Sequence, residues 1–195
     1  MTKLLLADPK AELCDAWAAA FEEYPEVEIF NGRFEQVPAF DCMVSAANSF
    51  GLMDGGVDLA ITNYFGATLQ ARVQQVILKR YNGEQPVGSS FIVETGHPAH
   101  PFLAHTPTMR VPMPIADTDH VYLAMKAMLQ AVQDFNAADE RIQTVVCPGL
   151  GTATGRVPFA EAARQMALAY RYYQHPPQTI SWNTAAARHR SIIGG

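Results

Sequence analysis

Ser45-Ala46-Ala47-Asn48-Ser49-Phe50-Gly51-Leu52-Met53-Asp54-Gly55-Gly56-Val57-Asp58 and Cys147-Pro148-Gly149-Leu150-Gly151-Thr152-Ala153-Thr154-Gly155-Arg156-Val157-Pro158 are the two stretches from which the fold of this chain is read. Each follows a short apolar run, Asp41 to Ala46 and Ile142 to Cys147, and each precedes a segment of helical periodicity. A buried strand that ends in a glycine loop and opens a helix aims several backbone N–H groups at one point, and such a point holds phosphate. Two such loops in one small domain suggest a ligand with two phosphates.

Outward from these loops, strand and helix patterns alternate. Lys3 to Ala7, Val27 to Phe30 and Ser90 to Glu94 read as further strands; Leu103 to Thr106 and Met109 to Val111 read as two short ones in a proline-rich stretch. Asp8-Pro9 has the order of an N-cap followed by a first-turn proline, and Leu13, Trp17, Ala20 and Phe21 recur at helical spacing as far as Tyr24. Gly56 to Tyr81 is helical with a break near Gly66; Asp117 to Asn136 and Pro158 to Tyr173 complete the helices. Gln178 to Trp182 reads as a last strand, and the residues from Asn183 onward as a flexible tail. Continuously apolar strands alternating with helices predict a mostly parallel sheet covered on both faces, with ligands bound at the carboxyl ends of its strands. One domain over residues 1–182 with a C-terminal tail at 183–195 follows, since no repeat, linker or compositional boundary divides the chain.

The composition excludes several alternatives. An apolar fraction of 49% and a charged fraction of 17% belong to an ordinary globular protein, and a net charge of −5 gives no electrostatic footprint for general nucleic-acid binding. The 3 cysteines, Cys14, Cys42 and Cys147, are widely spaced and form no CxxC or Cys/His zinc pattern, which fits reduced thiols in a cytoplasm. The run Leu4 to Ala7 is too short for a signal peptide, and no apolar run is long enough to span a bilayer. His97, His100 and His105 match no metal-ligand spacing and read as polar loop residues; no metal or cofactor is expected.

Gly55 and Gly56 let the backbone approach a ligand with no Cβ in the way. Asn48 offers a donor and an acceptor and Asp58 an acceptor, the groups that recognise sugar hydroxyls. Each also has a plainer explanation, Asn48 as a strand-end turn residue and Asp58 as a first-turn acid favoured by the helix dipole. In the second loop Gly149, Gly151 and Gly155 form a pliable arch with Thr152 and Thr154 as hydroxyl donors; the spacing fits neither the Walker A nor the dinucleotide pattern. Cys147 reads as a packing residue.

Together the loops resemble the macro domain family, whose members have a strand ending in Asn-Ala-Ala-Asn, then Gly-Gly-Gly-Val before a helix, and later a strand, a Pro and a glycine-rich phosphate loop. Ser45-Ala46-Ala47-Asn48, Asp54-Gly55-Gly56-Val57 and Pro148 to Gly155 stand at those places, so the resemblance covers residues 1–175. It implies a three-layer α/β/α fold with a mixed, largely parallel sheet and an ADP-ribose cleft. It implies a diphosphate held by Gly55, Gly56, Val57, Gly149, Gly151, Thr152, Ala153, Thr154 and Gly155, with Asn48 and Asp58 flanking the distal ribose. The activity implied is hydrolysis of ADP-ribose conjugates, ADP-ribosylated protein or nucleic acid or O-acetyl-ADP-ribose, by water and without a covalent intermediate. A binding module without turnover is the alternative.

Four departures bear on that expectation. Ser45 replaces the first Asn, Asp54 puts a carboxylate near the phosphates, and Ala153 replaces a phosphate-loop glycine. Where the family has Gly-Asp-Ile-Thr, whose Asp holds the adenine amine, this chain has Gly32-Arg33-Phe34-Glu35. Arginine has no acceptor, so the base is expected to stack on Arg33 or Phe34.

Overall fold

The computed structural model describes residues 2–194. Its strands β1 (Lys3–Asp8), β2 (Glu28–Asn31), β3 (Cys42–Asn48), β4 (Phe91–Glu94), β5 (Phe102–Met109) and β6 (Thr144–Cys147) form one sheet in the order β2-β1-β6-β3-β5-β4. Only the β4–β5 pair is antiparallel. The helices are α1 (Ala11–Ala20), α2 (Gly56–Phe65), α3 (Thr68–Tyr81), α4 (His120–Asn136), α5 (Phe159–Gln174) and α6 (Trp182–Ile193). The architecture is a three-layer α/β/α sandwich around a mixed, largely parallel sheet.

Side chains alternate across a strand, and here the alternation sorts two cores. Leu4 and Leu6 of β1, Cys42 and Val44 of β3, and Val145 and Cys147 of β6 pack beneath α1, α4 and α5, with Trp17, Met125 and Met166. Leu5 and Ala7, Met43, and Val146 point the other way, onto Ile61 of α2 and Leu69, Val73 and Ile77 of α3. Apolar residues on both faces of each central strand are why these runs lack the polar alternation of a half-solvated sheet.

This division places the site. β6 and β3 are adjacent and parallel, so their carboxyl ends lie side by side. The chain leaving β3 enters α2 on one face, whereas the chain leaving β6 enters α5 on the other. Neighbouring strands that send their helices to opposite faces leave a crevice between the two connections, and ligands of open α/β sheets occupy it.

Several segments differ from the sequence expectation. Residues 102–109 form one strand rather than two short ones. Pro107 interrupts the sequence pattern but not the strand, because β4 pairs only as far as His105 and the β3 register shifts by a bulge beside Pro107, where no ladder donor is required. His105, read as a loop residue, is therefore a fully buried member of a central strand, and His100 is buried as well. α1 begins at Ala11, two residues later than the Asp8-Pro9 order implies, with Asp8 Oδ1 accepting from Lys10 N at 3.0 Å ahead of it. No strand forms at 178–182. Ser181 instead accepts a hydrogen bond from Thr184 N, and its own N–H donates to the Thr184 hydroxyl, a reciprocal cap that starts α6 on an alanine-rich run. Of the residues read as a flexible tail, 183–193 are thus helical, and Gly195 lies outside the described residues; α6 buries none of its own residues.

Candidate functional site

The crevice between the two loops is a cleft of about 560 Å³, within the order of 300–1,000 Å³ usual for small-molecule sites. The two glycine stretches converge on it. Asn48, Gly55, Gly56, Val57 and Asp58 form one wall, and Gly149, Gly151, Thr152, Ala153, Thr154 and Gly155 the facing one. Arg33 and Phe34 line the same cleft. Every residue expected to bind the ligand therefore reaches one space.

Backbone accounting shows what the walls offer. α2 begins at Gly56, and its N-cap Gly55 supplies no side-chain acceptor, so the N–H groups of the first turn have no partner within the helix. Gly56 holds φ +56 there, with nothing within 4 Å of where a Cβ would stand. Opposite it, no acceptor for the N–H groups of Thr152, Ala153, Thr154 and Gly155 is found among the described residues. The arch is held instead through its carbonyls: Val157 N donates to Gly151 O at 3.1 Å, Arg156 N to Ala153 O at 3.1 Å and Ile115 N to Gly155 O at 2.8 Å. Gly155 leaves no room for a larger residue, because a Cβ there would overlap the Gly151 carbonyl oxygen. Backbone donors must be paired somewhere, and two unpaired sets facing one cleft suit an anion with acceptors on two sides.

Asp58 is 5% exposed and sits at the third position of α2. Ser45 Oγ donates to its Oδ1 at 2.6 Å. Burial pushes the carboxyl up to about 6; the Ser45 bond works against that rise and the charge of Asp54 adds to it. Asp54 itself is exposed at the cleft.

Asn48 is more engaged than its sequence role implies. Its Nδ2 donates to Leu52 O at 2.7 Å, and its Oδ1 accepts from Phe50 N at 3.1 Å and Leu52 N at 3.3 Å. The amide thus folds the 48–52 turn, and one amide hydrogen remains for a ligand.

The base-side pair divides. Arg33 is exposed, and no hydrogen bond or ion pair to its guanidinium is found among the described residues. Phe34 is 5% exposed; its ring meets Tyr64 edge-on at 5.5 Å and stacks on Phe65 at 6.5 Å. Most of the Phe34 ring is committed to the core, so Arg33 is the freer platform. The cleft also takes in residues outside the sequence expectation, among them the charged Asp8 at the end of β1, Lys10 beyond it and Glu35 beside Phe34. β1 neighbours β6 in the sheet, so its carboxyl end opens at the same edge; strand order is the signal that finds these residues, and it is not visible along the chain.

Cys147 is fully buried, with its thiol pushed up by burial, and packs in the core. No group of His, Cys, Asp and Glu able to hold a metal is present among the described residues. Nor is any helix among them long and apolar enough to cross a membrane.

A mixed six-stranded α/β/α sandwich with two amide-rich glycine loops over adjacent strand ends is the architecture of macro domains. The profile of the Macro domain family matches residues 44–166, and the chain belongs to that family. A protein of Aquifex aeolicus (strain VF5), described only as uncharacterized, is 30% identical over 149 residues, spanning 76% of this chain and 83% of its own length. Among solved structures, the macrodomain of Mycobacterium tuberculosis DarG superposes with a TM-score of 0.59 at 18% identity, over 72% of this chain and 88% of that one. A mutant Oceanobacillus iheyensis macrodomain with ADPR gives a TM-score of 0.57 at 20% identity, over 78% of this chain and 84% of that one.

Proposed function

We propose that this protein binds ADP-ribose in the cleft and releases it from conjugates by attack of water. The observation that carries the reading is the buried Asp58 carboxylate in the first turn of α2, lining the same cleft as both sets of unpaired backbone donors. In this reading the diphosphate lies against the N–H groups of Gly56 and Val57 on one side and of Thr152, Ala153 and Thr154 on the other. The adenine lies over Arg33. The distal ribose sits beside Asn48 and Asp58.

Asp58 then accepts a proton from a water placed at the anomeric carbon; the water oxygen bonds to that carbon as its bond to the leaving group breaks. Above pH 6 an acid with its pKa there is ionised and able to act as base. The leaving group departs as a carboxylate, or its oxygen takes up a proton from solvent. No covalent nucleophile takes part, and no metal or organic cofactor is called for. Substrates are ADP-ribosylated protein or nucleic acid, or O-acetyl-ADP-ribose, in which the same water adds to the acetyl carbonyl carbon and the ester bond to the ribose oxygen breaks, giving acetate and ADP-ribose. The buried free thiols fit a reducing compartment, the cytoplasm.

One observation favours a second reading, an ADP-ribose reader without turnover. Asn48 spends its carbonyl on two backbone N–H groups of its own turn, which leaves it little to place a water. Incubating the protein with a mono-ADP-ribosylated substrate and measuring freed ADP-ribose decides between them. The hydrolase reading expects release by wild type, none by Asp58→Ala, and ADP-ribose binding by both; binding without release by wild type supports the reader.

A further inference from the structure

Ser45 stands where the family resemblance has asparagine, and it is fully buried on β3. Its hydroxyl has one partner among the described residues, Asp58 Oδ1 at 2.6 Å. No hydrogen bond to Asp58 Oδ2 is found among those residues, although the side chain lines the cleft. The backbone around Asp58 is fixed independently: Thr62 Oγ1 donates to its carbonyl at 2.9 Å, one turn further along α2. The Ser45 hydroxyl is therefore what sets the side-chain angle of a carboxyl whose helix is already in place.

We infer that Ser45 is a positioning residue, which holds Oδ1 of Asp58 in the wall and leaves Oδ2 to the ligand in the cleft. The inference rests on the hydrolytic reading and names the residue that makes Asp58 competent in it. A short O–H···O⁻ bond is directional and stronger than one between neutral groups. It confines a short side chain whose other oxygen must meet a water within hydrogen-bond reach. It also favours the ionised carboxyl against the pull of burial. Among the described residues, the titratable neighbour acting on Asp58 is Asp54, in the loop before α2, and its charge works in the opposite sense. Serine thus stands in the place of the family's asparagine, buried on β3 behind the cleft, and supplies an oriented hydroxyl donor to the acid.

The test uses the full chain with Ser45→Ala and Ser45→Thr, and two readouts. The first is the titration of the Asp58 carboxyl carbon by NMR, assigned by its loss in Asp58→Asn. The second is the pH–rate profile for ADP-ribose release. Ser45→Ala is expected to move the titration upward by about one pH unit, as loss of a hydrogen bond to a charged group implies. The acid limb of the rate profile should move with it. The variant should also lower kcat about tenfold, the size of effect expected when a transition-state contact loses its alignment, with ADP-ribose affinity unchanged. Ser45→Thr keeps the hydroxyl and should restore both readouts. The inference is overturned if Ser45→Ala titrates like wild type, or if the titration moves while the rate profile does not. Failure of the hydrolytic reading looks different: wild type itself then releases nothing, while the NMR arm still reports on Ser45.

Discussion

Ser45 Oγ and Asp58 Oδ1 lie 2.6 Å apart, both buried, joining the third strand of the chain to the first turn of α2 beside the cleft. A carboxyl in that setting is costly to ionise, and its cost has a sign in pH. Asp58 is raised from 3.8 to about 6, first by burial, with Asp54 adding and Ser45 subtracting. The folded state binds the proton more tightly than the unfolded chain. The group's stabilising contribution is therefore complete below the ordinary carboxylate range and is lost as pH rises through about 6. Asp58→Asn removes the titration and keeps an acceptor for Ser45. Urea unfolding from pH 4 to 8 should show this variant more stable than wild type above pH 6, by on the order of 2–3 kcal/mol, and equal to it near pH 4. A difference independent of pH would contradict the assignment.

His105 behaves in the opposite sense. Burial alone lowers it to about 3. Gln85 Nε2 donates to Ser89 O and His105 O, each at 3.3 Å, so Gln85 Oε1 faces the ring and accepts from Nδ1 at 2.6 Å. His105 Nε2 is buried, with no partner among the described residues. The ring should be the neutral Nδ1–H tautomer, and stability linked to it should be full above 6.5 and lost as pH falls toward 3. Long-range ¹H–¹⁵N NMR should show an Nδ1-protonated ring that does not titrate down to pH 4. A midpoint near 6.5 would show the ring to be accessible.

The two loops should tolerate an added methyl very differently. At Gly56 the space is open and only the positive φ opposes a side chain, so Gly56→Ala should cost about 1–2 kcal/mol. At Gly155 a Cβ would collide with the Gly151 carbonyl and come within 2.8 Å of Ile115 Cγ1. Gly155→Ala should therefore be destabilised well beyond Gly56→Ala in thermal melts. Equal losses would show that the arch yields.

The last helix should be dispensable for folding. Arg164, paired with Glu161, donates to Ser191 O at 2.8 Å and Ile192 O at 2.9 Å, and Arg188 lies 4.1 Å from the Tyr172 ring centroid. Trp182 remains 90% exposed and Ile180 92%. Truncation after Pro177 should leave a cooperative domain that has lost about 1–2 kcal/mol, the worth of a few hydrogen bonds at a surface. Loss of cooperative melting by circular dichroism would mean that α6 supports the core.

The fold was legible because its decisive residues are backbone-driven. Glycines at 55, 56, 149, 151 and 155, each after an apolar run, mark where strands become helices, and the structure puts both transitions on adjacent strands. Strand order cannot be read this way. Asp8, Lys10 and Glu35 reach the cleft only because β1 and the Phe34–Gln36 turn abut it in space. Pro107 disguised an eight-residue strand as two, since a proline's effect depends on whether its neighbour needs the missing donor. The partners of Asn48 and Asp58 were equally hidden. Asn48 closes its own turn, and Ser45, noted only as a departure from asparagine, proves to be the group bonded to the acid.

The measurement that bears most directly on the account is calorimetric titration of the full chain with ADP-ribose, repeated with ribose-5-phosphate, which lacks the diphosphate bridge. Opposed amide loops predict saturable one-to-one binding of ADP-ribose and a far weaker response to the monophosphate. Absence of saturable heat with ADP-ribose, or equal affinity for both compounds, would contradict the claim that the two glycine loops clasp a diphosphate.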